Sequence, residues 1–219
     1  MESEKKNDKF FSSTIITTLI NNILSTHNLQ DIRINHNFKH AYMHLIFQLS
    51  KCLCDFFHQK AIEINIKRIT IEHWESFISK LDICYMFPIL NPIKYKVSIN
   101  EYVAYYEQYH NKTNKPNKNT LYIHNNIASV YNSMCGNIYS NKDIKIDEGI
   151  FIFMSYLILN TVLLLMENNI MIIDVANKKS LNISVFKCTL KSKFHDYGRD
   201  NIYDILDKKI DEYLLTFNV

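Results

Sequence analysis

Three histidines, His36, His40 and His44, recur every fourth residue, a spacing that sets them on one face of a helix. Such a pair can ligate zinc, but a site needs a third or fourth ligand, usually a thiolate or carboxylate. Cys52 and Cys54 are two residues apart and on a helix point in different directions, and no HExxH pattern is present. We therefore expect partly buried or interfacial histidines and no metal. The three glycines, Gly136, Gly149 and Gly198, stand far apart, so no phosphate-gripping loop can be written. No serine nucleophile elbow or dinucleotide fingerprint occurs, and Cys84 and Cys135 lack the sequence setting of a nucleophile. The carboxylate pairs Asp147–Glu148 and Asp211–Glu212 fall where helix caps and solvated faces belong. The expectation is a binding protein without cofactor, not an enzyme. What remains is charge: the basic pairs Lys67–Arg68 and Lys178–Lys179, each in a short stretch of β-branched or polar residues.

Positioning those pairs falls to helices. The 219 residues are 47% hydrophobic with only 3 Gly and 3 Pro, few breakers for so apolar a chain. Five cysteines without the spacing of a disulfide framework fit a reducing, intracellular compartment. Residues 150–166, IFIFMSYLILNTVLLLM, form an uncharged run at the lower limit for a membrane span. Ser155, Asn160 and Thr161 interrupt it, Glu167 follows at once, and no basic flank adjoins it, so a buried core helix is the expectation.

Residues 110–119, HNKTNKPNKN, are the most polar stretch and read as a linker. Residues 1–110 carry 12 basic and 11 acidic side chains, and residues 120–219 carry 10 and 11, so Lys112, Lys115 and Lys118 supply the net charge of +3. Each side of the linker runs in the same order. The first has a short helix at 14–24 capped by Ser12 or Ser13, a polar connection, and a long helix from His36 to Glu63. Its apolar residues Phe38, Tyr42, Leu45, Ile46, Leu49, Leu53 and Phe56 keep helical spacing. INIKRITI (64–71) and a closing helix at 72–81 complete it. The second repeats this with a short helix at 123–134, a long helix from Gly149 to about Asp174, VANKKSLNIS (175–184) and a closing helix at 185–194. The basic pairs lie about 111 positions apart and the long helices start about 113 apart, the near-constant offset of a tandem duplication.

This order, with residues 21–77 carrying THNLQDIRIN and NIKRITIEHWESF, resembles the histone 2B type; residues 136–190, carrying GNIYSNKDIKIDEG and ANKKSLNISVFKCTL, resemble the histone 2A type. A chain with both in this order is similar to the fused histone doublets of large DNA viruses. The resemblance implies an all-α protein of two tandem histone folds, each a short helix, a long central helix and a short helix, paired within the chain. Residues 12–110 would be the first fold with an appended helix at 98–109, 111–119 the linker, 120–194 the second fold, and 195–219 a helical extension. It implies sequence-independent contacts to double-stranded DNA. Lys67, Arg68, Thr70, Lys178, Lys179 and Ser180 would be second-loop phosphate contacts, and Arg33, Lys142 and Lys145 first-loop ones. A second doublet would be a further partner, and virion, viral factory or nucleus the site of action, with no membrane. The chain departs from the family in its near-neutral charge, in long helices about a turn longer, and in lacking a legible acidic patch on the 2A-type part.

A different class of function competes: a helical-bundle interaction protein, Bcl-2-like or transcription-factor-like, that binds a protein partner and is indifferent to DNA. Tyr102, Tyr105, Tyr106 and Tyr109 would form core or interface, and Trp74 would pack the first closing helix.

Overall fold

The computed structural model describes residues 10–27, 29, 31–73, 76, 102–107, 109, 122–140, 143–196, 198 and 200–216. Helix dominates them: α1 (Ser13–Thr26), α2 (His36–Glu63), α3 (His124–Asn137), α4 (Glu148–Val175), α5 (Ile183–Asp196) and α6 (Asp200–Leu215), with a further helical segment at 102–107. Four two-residue strands intervene: β1 (Arg33–Ile34), β2 (Arg68–Ile69), β3 (Lys145–Ile146) and β4 (Ser180–Leu181). The expected linker, Trp74, Cys84, Lys142 and almost all of the expected closing helix at 72–81 lie outside the described residues; a short 3₁₀ turn spans Ile71–His73.

The long helices end alike. Asn65 and Asn177 adopt left-handed conformations, φ 55° and 48°. The next N–H reaches back to the helix, Ile66 to the Ala61 carbonyl at 2.9 Å and Lys178 to the Ile173 carbonyl at 2.8 Å. This is the Schellman closure, with asparagine in the place glycine usually takes, and it turns the chain sharply into β2 and β4. One shift of numbering carries His36 onto Glu148, Glu63 onto Val175 and Asn65 onto Asn177. The same shift places Lys67 with Lys179 and Arg68 with Ser180, one residue off the alignment of basic pairs read from the sequence.

The chain forms two compact lobes, and neither is a continuous stretch. The first comprises Met1–Phe47 with Asn160–Val219, the second Gln48–Leu159. Each long helix is thus shared, its first part in one lobe and its second in the other.

In the first lobe, α1 buries Ile16, Leu19, Ile20, Ile23 and Leu24, the stripe its 3.6-residue period predicts. Ser12 stands at its N-cap, but its hydroxyl makes no capping bond; its backbone carbonyl takes the Ile15 N–H at 3.1 Å. Tyr42 meets Phe186 edge to face at 4.7 Å between ring centres, an arrangement favoured by aromatic quadrupoles. At the lobe's centre lies the fully buried Asn169. Its amide donates to the Tyr42 hydroxyl and to the Leu165 carbonyl at 2.8 Å, and its oxygen accepts from Thr189 Oγ1 at 3.0 Å. Burial pushes the Tyr42 phenol up in pKa, with the Asn169 bond acting the other way. Gly198, at φ +64°, makes the turn into α6, whose Ile202, Leu206, Ile210, Tyr213 and Leu214 are buried.

In the second lobe, α3 buries Ile127, Val130, Tyr131 and Met134. The first part of α4 is enclosed nearly all round, from Ile150 to Leu159. Over its whole length α4 is long and apolar enough to cross a membrane, and most of its apolar stretch is buried within the protein. The helical segment at 102–107 is held by Tyr102, whose hydroxyl donates to the Gly149 carbonyl at 3.1 Å, and by Tyr105, which bonds Ser155 at 3.2 Å. Ser155 in turn accepts the Ile123 N–H at 3.1 Å, so the tyrosine cluster packs into this lobe. Among the described cysteines, Cys52 is disulfide-bonded, although the cysteine spacing shows no disulfide framework, while Cys54, Cys135 and Cys188 are free.

Removing one member of a buried polar network strands its partners without water. Asn169→Ala should therefore lower unfolding stability by about 3 kcal/mol and Thr189→Val by about 1 kcal/mol. Urea denaturation with an unchanged m-value checks both.

Candidate nucleic-acid interface

Each lobe brings a first loop from one half of the sequence against a second loop from the other half. In the first lobe β1 and β4 pair in parallel, with Arg33 opposite Ser180 and Ile34 opposite Leu181. The Arg33 N–H donates to the Lys179 carbonyl and the Asn35 N–H to the Leu181 carbonyl, both at 3.0 Å. Leu181 is buried, and Arg33, Lys178 and Lys179 are exposed. Ser180 is half-buried.

The second lobe repeats this with β2 and β3, Arg68 opposite Lys145 and Ile69 opposite Ile146. The Lys145 N–H donates to the Lys67 carbonyl at 2.9 Å and the Asp147 N–H to the Ile69 carbonyl at 3.0 Å. Ile69 is buried, and Lys67, Arg68 and Lys145 are exposed. Thr70 is half-buried, its N–H donating to His73 Nδ1 at 3.1 Å and its hydroxyl 2.9 Å from the same nitrogen. Of the candidate phosphate contacts, Arg33, Lys178, Lys179 and Ser180 therefore gather in one lobe and Lys67, Arg68, Thr70 and Lys145 in the other. Three cations on a two-strand bridge, flanked by a helix N-terminus, can hold phosphate oxygens without reading bases.

Sequence reading missed a partner here. Arg68 Nε donates to Asp147 Oδ1 at 2.7 Å, and that bond raises the guanidinium's pKa. Asp147 reads in the sequence as a cap only; β2–β3 pairing is what carries it to Arg68.

The loop before β3 is fixed by rings. Tyr139 stacks on His58 at 3.6 Å between centres and 7° between planes, and its hydroxyl donates to Asp55 at 3.3 Å. The Tyr131 hydroxyl donates to the Ile144 carbonyl at 3.0 Å and lies 3.1 Å from His58 Nδ1, which makes His58 Nδ1–H the donor in that second bond. Burial lowers the His58 pKa below its ordinary 6.5, opposed by Asp55, and lowers that of His124, opposed by Glu148.

Two of the three histidines on this face of α2 are packed, and His36 is exposed. His44 stacks on Tyr213 of α6 at 4.4 Å, His40 lies 6.4 Å from the same ring, and both are buried. Among the described residues no three or more His, Cys, Asp or Glu converge to hold a metal ion.

No protein-family model, curated protein or solved structure matches this chain. The site's chemistry therefore rests on its own geometry.

The depressed histidines set a pH dependence. The unfolded chain binds their protons at higher pH than the folded chain, so their contribution is complete above about pH 6.5 and is lost as pH falls through the lower folded values. The melting temperature should drop between about pH 7.5 and about pH 5.5, and His58→Phe, which keeps the stack without the titration, should flatten that drop. Scanning calorimetry across the range checks both.

Proposed function

We propose that this protein is a histone-fold doublet, 2B-type then 2A-type, that organises double-stranded DNA through sequence-independent phosphate contacts and performs no catalysis. The observation that carries the reading is the reciprocal pairing of loops. In a histone pair the first loop of each fold lies beside the second loop of its partner. Here Arg33–Ile34 pairs with Ser180–Leu181 and Arg68–Ile69 with Lys145–Ile146, each in parallel. Lobes drawn from both halves of the sequence support the same pairing, since a lone histone fold cannot bury its long helix and must share it. Fusion in one chain keeps the partners at high effective concentration.

Net charge of +3 argues against extensive wrapping and for a few local contacts at the loop pairs. A doublet of this kind acts where viral DNA is packaged, in a factory, nucleus or virion, and a second doublet would extend it.

A second reading has its own observation. Met171 and Val175 of α4 are exposed, 62% and 88%, beside a cavity of about 420 Å³ lined by Ile172, Ala176, Thr189 and Lys193. A helical interaction protein would dock a protein partner on such an apolar surface, with or without the histone fold.

Salt separates the two. Phosphate contacts release counterions, so with about six loop positions engaged or partly engaged, log affinity should fall with log salt at a slope of about three to five. Lys67→Ala, Arg68→Ala, Lys178→Ala and Lys179→Ala combined should abolish binding to a duplex and leave helicity by circular dichroism intact. Duplex affinity that survives these four changes removes the loop pairs from the interface.

A further inference from the structure

We propose that the loop pair of the first lobe is the stronger phosphate site, and that Asp147 weakens the second by competing with phosphate for Arg68; this deepens, and rests on, the DNA-binding reading above. Among the described residues the two loop pairs share their backbone bonds and carry three cations each, so the difference among those residues lies in what surrounds the cations.

The residue before the long helix is Asn35 in the first lobe and Asp147 in the second. Asparagine and aspartate cap helices about equally well, so capping alone does not require the charge. The carboxylate acts on Arg68 instead, accepting its Nε–H at 2.7 Å. Arg68 stands directly opposite Lys145, and like charges facing across a strand pair repel, a repulsion that Asp147 offsets. Arg33 has no such need, because its opposite residue is Ser180. Among the described residues, Arg33, Lys178 and Lys179 enter no ion pair.

Helix dipoles add to the contrast. The first turn of α2 contains no acidic residue, whereas α4 opens with Glu148. The positive end of α2 is left for an external anion, and that of α4 already faces carboxylates. Nearby acids act in the opposite sense but more weakly: Asp31 and Asp174 line a cavity of about 220 Å³ beside Lys178 and Lys179, whereas in the second lobe Asp143 holds the position of Asp31 and Glu63, at the end of α2, pairs with Lys60. Among the described residues neither Asp31 nor Asp174 forms an ion pair with Lys178 or Lys179, as Asp147 does with Arg68.

The Arg68–Asp147 pair is exposed, with 69% of the arginine side chain open to solvent. Exposed pairs are weak and screened by salt, so Asp147 attenuates phosphate binding rather than blocking it.

Fluorescence anisotropy of a short duplex of arbitrary sequence, titrated with the full chain at several salt concentrations, tests this. Asp147→Asn should tighten binding by about two- to fivefold at low salt and steepen the salt slope by about one. Asn35→Asp should weaken binding by a similar factor. Arg33→Ala should cost clearly more than Arg68→Ala in the natural chain, and the cost of Arg68→Ala should grow in the Asp147→Asn background. Equal losses at Arg33 and Arg68 with no gain from Asp147→Asn overturn the asymmetry while leaving DNA binding in place. Absence of duplex binding by both the natural chain and Asp147→Asn removes the DNA reading, and this inference with it. Should a cap variant fail to melt cooperatively, the Arg33 and Arg68 comparison decides alone.

Discussion

The left-handed asparagine at the end of each long helix is the constraint on which this architecture depends. A 28-residue helix carries its apolar stripe far beyond what one short helix can cover. Asn65 and Asn177 stop it and reverse the chain at once, so that the next residues run as a strand instead of a loose loop. That strand is only two residues long, too short to hold a register alone, and it is pinned at both ends. The closure bonds to Ala61 and Ile173 fix where it leaves the helix, and burial of Ile69 and Leu181 fixes which face turns inward.

From that constraint follows the placement of charge. With Ile69 and Leu181 inward, the residues before them, Arg68 and Ser180, face outward opposite Lys145 and Arg33. In β2 a slip of one residue would bury Arg68 and expose Ile69. The outward place of Arg68 is thus a by-product of the burial of Ile69 beside it.

The lobes solve their polar burial differently. In the first, Asn169 collects Tyr42 and Thr189 into one satisfied network at the centre of an apolar body, which favours a single packing over near-equivalent ones. In the second, rings do this work: Tyr139 on His58, Tyr131 on Ile144, and Tyr102 and Tyr105 on α4. The tyrosines carry hydroxyls into half-buried places where a backbone carbonyl, a serine or, for Tyr139, the Asp55 carboxylate accepts them, and so couple loops to helices.

The sequence by itself determined the elements. Spacing of Phe38, Tyr42, Leu45, Ile46, Leu49 and Leu53 set the long helix at His36–Glu63, and the apolar run after Gly149 set its counterpart, because the 3.6-residue period is a local property. The candidate cations were legible too, as exposed charges beside β-branched residues. Tertiary structure decided which cation meets which neighbour. That Arg68 faces Lys145 and reaches Asp147, that Lys67 matches Lys179, and that each lobe is discontinuous depend on pairing residues far apart in the chain. Hydrophobic periodicity repeats along a helix and carries no address for the distant partner. The address came only when burial of Ile69 and Leu181, with the two asparagine turns, left the register in which the N–H groups of Arg33, Asn35, Lys145 and Asp147 meet carbonyls of the opposite strand segment.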